Sequence, residues 1–312
     1  MKRKRLTASI IALVMSVSLP MTTYAANWYL EDGSVTVNAD NSGQTVTQGS
    51  GSAVPDEAPV ITQRNSYAET SNTITINASE NATANVTISN VNIDTSGAAV
   101  STGGKGNVNI ELDGTNTLKS GRYHAGLEKS QDGKLTITDE NANGKLIATG
   151  GDYGAGIGGD DQGNGKNITI TGGEITATGG SHGAGIGGGY YGNGNDITIT
   201  GGKVTATGGN GAAGIGGGNY KDGNDINIAG SKVTATGGDY GAGIGGGNQG
   251  NGKNITITGG EVTAAGGTNG AGIGGGLRTE GEKITVSGDA TLKVQGGLTD
   301  EWDGAGAGIG NG

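Results

Sequence analysis

The chain has 312 residues, 70 of them glycine and 3 proline, with no cysteine or phenylalanine, and its formal charge is −10. That acidity argues against nucleic acid or anionic lipid as a partner, and the lack of cysteine excludes a disulfide framework and thiol chemistry. Glycine at this level without abundant proline excludes collagen, while glycine recurring at a long fixed period distinguishes a solenoid from a disordered chain.

Residues 1–25 read as a secretory signal. Lys2, Arg3, Lys4 and Arg5 form a basic start, Leu6 to Leu19 a mainly apolar stretch, Pro20 ends it, and Thr23-Tyr24-Ala25 supplies small residues at −3 and −1. The apolar run is too short to span a bilayer. Removing the four leader cations and no acid leaves a mature charge of −14. Residues 26–60 carry Trp28, Tyr29 and Leu30 at one end and Pro55 and Pro59 at the other, and read as a strand-containing cap plus connector. An open solenoid end is an exposed edge that needs such cover.

Residues 61–150 read as degenerate coils. Thr73 to Asn77, Ala84 to Ile93, Asn107 to Leu112 and Lys134 to Thr138 all alternate apolar and polar side chains. Residues 151–312 carry the regular repeat. Ile157, Ile186, Ile215, Ile244 and Ile273 centre AGIGG motifs at 29-residue intervals, and Ile309 follows after 36. Leu127 marks a weaker copy 30 residues before Ile157.

Each unit holds three short alternating stretches. In one copy Ala242/Ile244, Ile255/Ile257 and Val262/Ala264 share one parity, with Asn254/Thr256/Thr258 and Glu261/Thr263 on the other. Glycine pairs punctuate the stretches where the chain must turn. Three strands in so short a unit cannot make a four-stranded propeller blade. The spacing predicts an all-β, right-handed parallel β-helix (a solenoid) with one three-strand coil per 29-residue repeat. Ala177, Ala206, Ala235 and Ala264 should line a narrow part of its core. No cap is visible after Ile309, so the C-terminal coil is a candidate edge for self-association.

The string GAGIGGG followed by TITGGxVTATGG resembles glycine-rich surface proteins of Firmicutes and is similar to the clostridial secreted carbohydrate-binding β-helix family. Leu112-Asp-Gly-Thr-Asn-Thr-Leu118, Ala125-Gly-Leu127 and Leu135-Thr-Ile137 resemble the segment that precedes the repeats there. The resemblance covers roughly residues 70–312. It implies a right-handed β-helix, polysaccharide binding and attachment at a cell surface. No sortase motif, hydrophobic tail or wall-binding module accompanies it.

Four kinds of chemistry are open to such a repeat. Threonine ladders at Thr176/Thr178, Thr205/Thr207 and Thr234/Thr236 could meet ice, although exposed strand positions favour threonine anyway. Asp160 and Asp161, with Asp196 and Asp225, are the oxygen-rich positions a hard cation would need, which makes calcium the one cofactor left open. Against it, stacked Asn and Asp also suit polar corners. Catalysis would need paired carboxylates or a metal with a base, and no such pattern or Ser/His/Asp arrangement is visible, so no enzyme is expected.

Aromatic loops are the fourth. Tyr190, Tyr191 and Tyr220 occupy the two positions after GGG, and Tyr153, His182 and Tyr240 share the loop before GAGI. We expect a glycan site on the corner formed by Asp160, Asp161, Tyr190, Tyr191, Asn219 and Tyr220. These side chains differ between copies, which reads as a turn that makes no demand on residue type. The chain thus reads as a secreted or cell-surface, non-catalytic module for carbohydrate binding or adhesion. Its expected partner is a polysaccharide or cell-surface glycan, with no membrane contact after signal removal. The alternatives are a structural stalk or filament subunit, then a polysaccharide lyase, a glycosidase or an ice-binding protein.

Overall fold

The computed structural model describes residues 26–130, 132–299 and 304–312; the expected signal lies outside them. They form a parallel β-helix of three sheets, with 11, 8 and 12 strands, in which successive coils pair along every face. The first face carries the Ile-Thr-Ile strands, the second the Thr-Ala-Thr strands and the third the Ile-Gly pairs. Register follows the repeat on each: Ile168 opposes Ile197, Ala177 opposes Ala206, and Ile186 opposes Ile215. Among the described residues the one helical element is a 3-10 turn at Leu30–Asp32, and no helix is long and apolar enough to cross a membrane.

The core follows from side-chain parity. Ile157, Ile168, Ile170, Ile175, Ile186, Ile197 and Ile199 are at most 1% exposed, and the column Ala177, Ala206, Ala235, Ala264 is equally enclosed. A single coil cannot bury its own apolar face, so stacking neighbours supply the burial. The outward side of the second face carries charges that pair between coils. Glu174 lies 2.9 Å from Lys145 and 2.8 Å from Lys203, and Lys232 lies 2.9 Å from Glu261.

The upstream coils are less regular in two respects. Ala84 to Ile93, expected as one alternating stretch, is two strands, Thr83–Ser89 and Asn92–Asp94. The chain bends between them at Asn90, where φ is 55°. Asn tolerates that left-handed conformation because its short amide bonds locally. The connection after Leu135–Thr138 is also longer: Ile137 and Lys145 oppose Ile170 and Glu174, so four extra residues enter at 139–144.

Residues 26–60 close the N-terminal end. Asn27–Tyr29 pairs with Val60–Thr62 on the first face. Val35–Asp40 continues the third face and then doubles back, antiparallel, through Gly43–Gln48 to Val54–Pro55. Leu30 and Val46 are fully buried there. Gln44, 3% exposed, donates to the carbonyls of Asp56 and Asn85 and accepts from the Asn85 amide at 2.8 Å. Trp28 donates to Asp56 at 2.8 Å, and Arg64 holds Asp32 with two bonds. At the opposite end Val286, Leu298 and Ile309 are 43%, 77% and 47% exposed.

Candidate functional site

Two corner columns flank the third face, one in the loop before each Ile-Gly pair and one in the loop after it. Parallel coils place equivalent residues about 4.8 Å apart, so aromatic residues recurring at this period must meet. Tyr123 stacks on Tyr153 at 5.5 Å between ring centroids, and Tyr153 on His182 at 5.8 Å. Tyr190 then bridges to the second column, 5.4 Å from Tyr153 and 5.0 Å from His182. It touches Tyr191 at 4.0 Å, and Tyr191 stacks on Tyr220 at 5.6 Å. The six rings form one continuous ladder over four coils.

Arg122 closes one end of it, its guanidinium 5.4 Å from the Tyr123 centroid and 5.2 Å from that of Tyr153. It also donates to the Tyr153 hydroxyl and pairs with Asp152. The Tyr190 phenol is pushed up to about 12, first by its hydrogen bond with Tyr191 and then by burial; it stays protonated as a donor. Tyr123, Tyr191 and Tyr220 remain 51%, 43% and 42% exposed.

Tyr191 and Tyr220 have φ of 58° and 66°. The same column continues through Gln162, Gln249 and Arg278, all left-handed. This corrects the expectation that the turn makes no demand on residue type: it demands positive φ in every coil, which suits glycine or asparagine. Bulky rings in such a conformation are uncommon and cost energy, so the corner carries tyrosine despite its backbone.

The remaining expected residues fall around the ladder. Asn219 is 6% exposed and lies beneath it, with its Nδ2 3.3 Å from His182 Nδ1; it props the ring and is not at the surface. The Asn219 amide occupies the space a side chain at Gly211 would need, which explains why the first ring column is interrupted there. The Asp161 amide donates to the Tyr123 carbonyl. Asp160 is half-buried, and burial raises its carboxyl.

Sequence reasoning missed three residues at this end. Arg122 and Tyr123 sit in the weak copy, where Tyr123 precedes Tyr153 by the same interval that separates Leu127 from Ile157; that shared interval was the available signal. Glu128 opposes Gly158, in a column that is glycine in the later coils. Glu128 accepts from or shares a proton with His124 Nδ1 at 2.8 Å, and burial raises its carboxyl despite the histidine.

Asp196 and Asp225 stand elsewhere, at the start of first-face strands, in a column with Asn167 and Asn254 whose φ values are 53–56°. Asn254 donates to Asp225 at 2.9 Å. Backbone conformation accounts for Asn and Asp there. Among the described residues no three His, Asp or Glu side chains converge as metal ligands.

Residues 142–161, 168–190, 197–219, 226–248 and 255–277 match a family model described as beta helix repeat. No curated protein and no solved structure matches the chain. Over these segments the sequence match and the sheet topology agree on a β-helix built from repeats.

Proposed function

We propose that the chain is a secreted or cell-surface, non-catalytic module that binds a glycan along the aromatic corner. The observation that carries this reading is the ladder itself: exposed tyrosines held at left-handed positions, a backbone conformation that costs energy for a bulky ring. Rings separated by 5–6 Å leave no room for a sugar between them. The ligand therefore lies across ring edges and hydroxyls. Tyrosine loses little conformational entropy on binding, and a rigid scaffold removes more of that cost.

The test is retention on insoluble polysaccharide and a glycan array, repeated with Tyr191→Ala/Tyr220→Ala. Binding should weaken at least tenfold with the β-helix intact by circular dichroism and with no sugar released. Unchanged affinity would remove the corner from consideration, and release of reducing ends or unsaturated product would replace a binding module with an enzyme. The exposed Val286, Leu298 and Ile309 favour a second reading, self-association into a stalk. Light scattering that rises with concentration, without glycan retention, would select it.

A further inference from the structure

At its N-terminal end the first face is bounded by two irregular segments, Ala58 from the cap connector and Glu140 from the four-residue insertion at 139–144. Between them lies an open groove of about 370 Å³, lined also by Asn85, Asn109, Glu111 and Thr136. Volumes of roughly 300–1,000 Å³ are those of small-ligand sites. Most such sites are apolar; this one is floored by outward amides, hydroxyls and a carboxylate from three successive strands, in register Asn85–Asn109–Thr136 and Thr87–Glu111–Thr138.

The polar groups are fixed before any ligand arrives. Gln44 clamps the Asn85 backbone on both its amide and its carbonyl. Asn109 Nδ2 donates to Asn85 Oδ1 at 2.9 Å. Glu111 accepts from the Thr138 hydroxyl and, at 2.7 Å, from the Glu140 amide. Those bonds use one amide group of each asparagine. They leave Asn85 Nδ2 as a donor, Asn109 Oδ1 as an acceptor, and the Thr136 hydroxyl able to do both. An alternating donor–acceptor floor of this kind matches the adjacent hydroxyls of a sugar ring, each of which donates and accepts. The carboxylates of Glu111 and Glu140 disfavour an anionic ligand.

We propose that this groove is a second binding site, separate from the aromatic corner, that takes a short neutral oligosaccharide. The proposal does not rest on the ladder. It uses two places where the repeat is broken, the cap connector and the 139–144 insertion, and neither contributes to the ladder.

The experiment is a titration of the purified chain, by calorimetry, with neutral trisaccharides (cellotriose, xylotriose and mannotriose), with trigalacturonate and with the glucosamine trimer. At least one neutral trisaccharide should bind. Asn109→Ala/Glu111→Gln should raise its Kd at least tenfold by removing groups. Ala58→Trp, at an exposed position, should do the same by filling the groove without removing a polar group. Tyr191→Ala/Tyr220→Ala should leave that Kd unchanged. Binding that survives both groove variants overturns the proposal. So does tighter binding of trigalacturonate or the glucosamine trimer than of every neutral sugar, or no binding of any neutral trisaccharide. Loss in the tyrosine variant alone assigns the trisaccharide to the aromatic corner and removes the groove; loss in the groove variants alone supports the groove and leaves the corner to the polysaccharide-retention test.

Discussion

Gly216→Ala offers a sharp test of how the coils approach one another. Gly216 has φ of +134°, and a Cβ placed there would lie 2.0 Å from the carbonyl oxygen of Gly245 in the next coil. Even a tight real contact is 3.0 Å, so that oxygen must move by at least about 1 Å. It now accepts from the Gly217 amide at 2.9 Å, and the shift takes it out of hydrogen-bond range. The backbone conformation costs about 1–3 kcal/mol for a residue with a side chain, and an orphaned buried amide about 1–3 kcal/mol more. The expected loss is therefore about 2–6 kcal/mol. Gly97→Ala is the control: nothing lies within 4 Å of its Cβ and its φ is ordinary, so it should be neutral or stabilise by up to about 1 kcal/mol. Denaturant unfolding followed by circular dichroism gives the comparison. Hydrogen exchange at Gly217 reads the local break, which matters because coils of a solenoid can open separately. A Gly216→Ala midpoint equal to that of Gly97→Ala, with Gly217 still protected, would refute the close-approach reasoning.

Ala206→Leu should overpack the narrow alanine column and cost about 1–3 kcal/mol, read as a lower denaturation midpoint; an unchanged midpoint would show that the column has room. Burial lowers the Lys129 amine to about 8, helped by the charge of Lys166. Between about 8 and the usual 10.5 the unfolded chain then binds more protons than the folded one, so stability should rise with pH across that window. Lys129→Met should flatten that rise, and a slope that persists in the variant would assign it to another group. The carboxyl of Glu174, held by Lys203 and then Lys145, lies at about 2; carboxyl NMR should find it ionised at pH 3.5, and titration near 4.5 would show the ion pairs to be open in solution. Tyr191→Asn/Tyr220→Asn keeps a residue suited to left-handed φ, so melting should change less than in Tyr191→Ala/Tyr220→Ala; the reverse order would show that ring stacking outweighs the turn.

The repeating part of the fold was legible because one parity carries the core. Ile255, Ile257, Val262 and Ala264 are apolar for a single physical reason, and the same positions recur in each regular copy. Legibility fails where a position answers to backbone geometry. Asp196 and Asp225 look like ligands in sequence, but they share a left-handed column with Asn167 and Asn254. Tyr191 and Tyr220 were legible as a pair one coil apart, while the positive φ that makes them informative was not. The groove was invisible for a different reason: Ala58 and Glu140 are far apart in sequence and belong to no repeat, so only the folded coil brings them to one face.

The near-identity of the coils has a consequence for how this chain finds its partners during folding. Ile meets Ile, Gly meets Gly and Thr meets Thr at most steps of the regular repeats, so a half-folded coil has few means of telling its own neighbour from the same coil of another molecule. What breaks the degeneracy is irregular: the Gln44 clamp on Asn85, the Arg64–Asp32 pair, Glu128 in a glycine column, and the run Lys203–Lys232, where like charges fall side by side. Most of these lie in the first half of the chain. Assembly that starts there and adds coils in order keeps each edge covered as it forms. Assembly that starts in the uniform repeats leaves two unpaired edges of interchangeable sequence, the condition for swapping coils between chains.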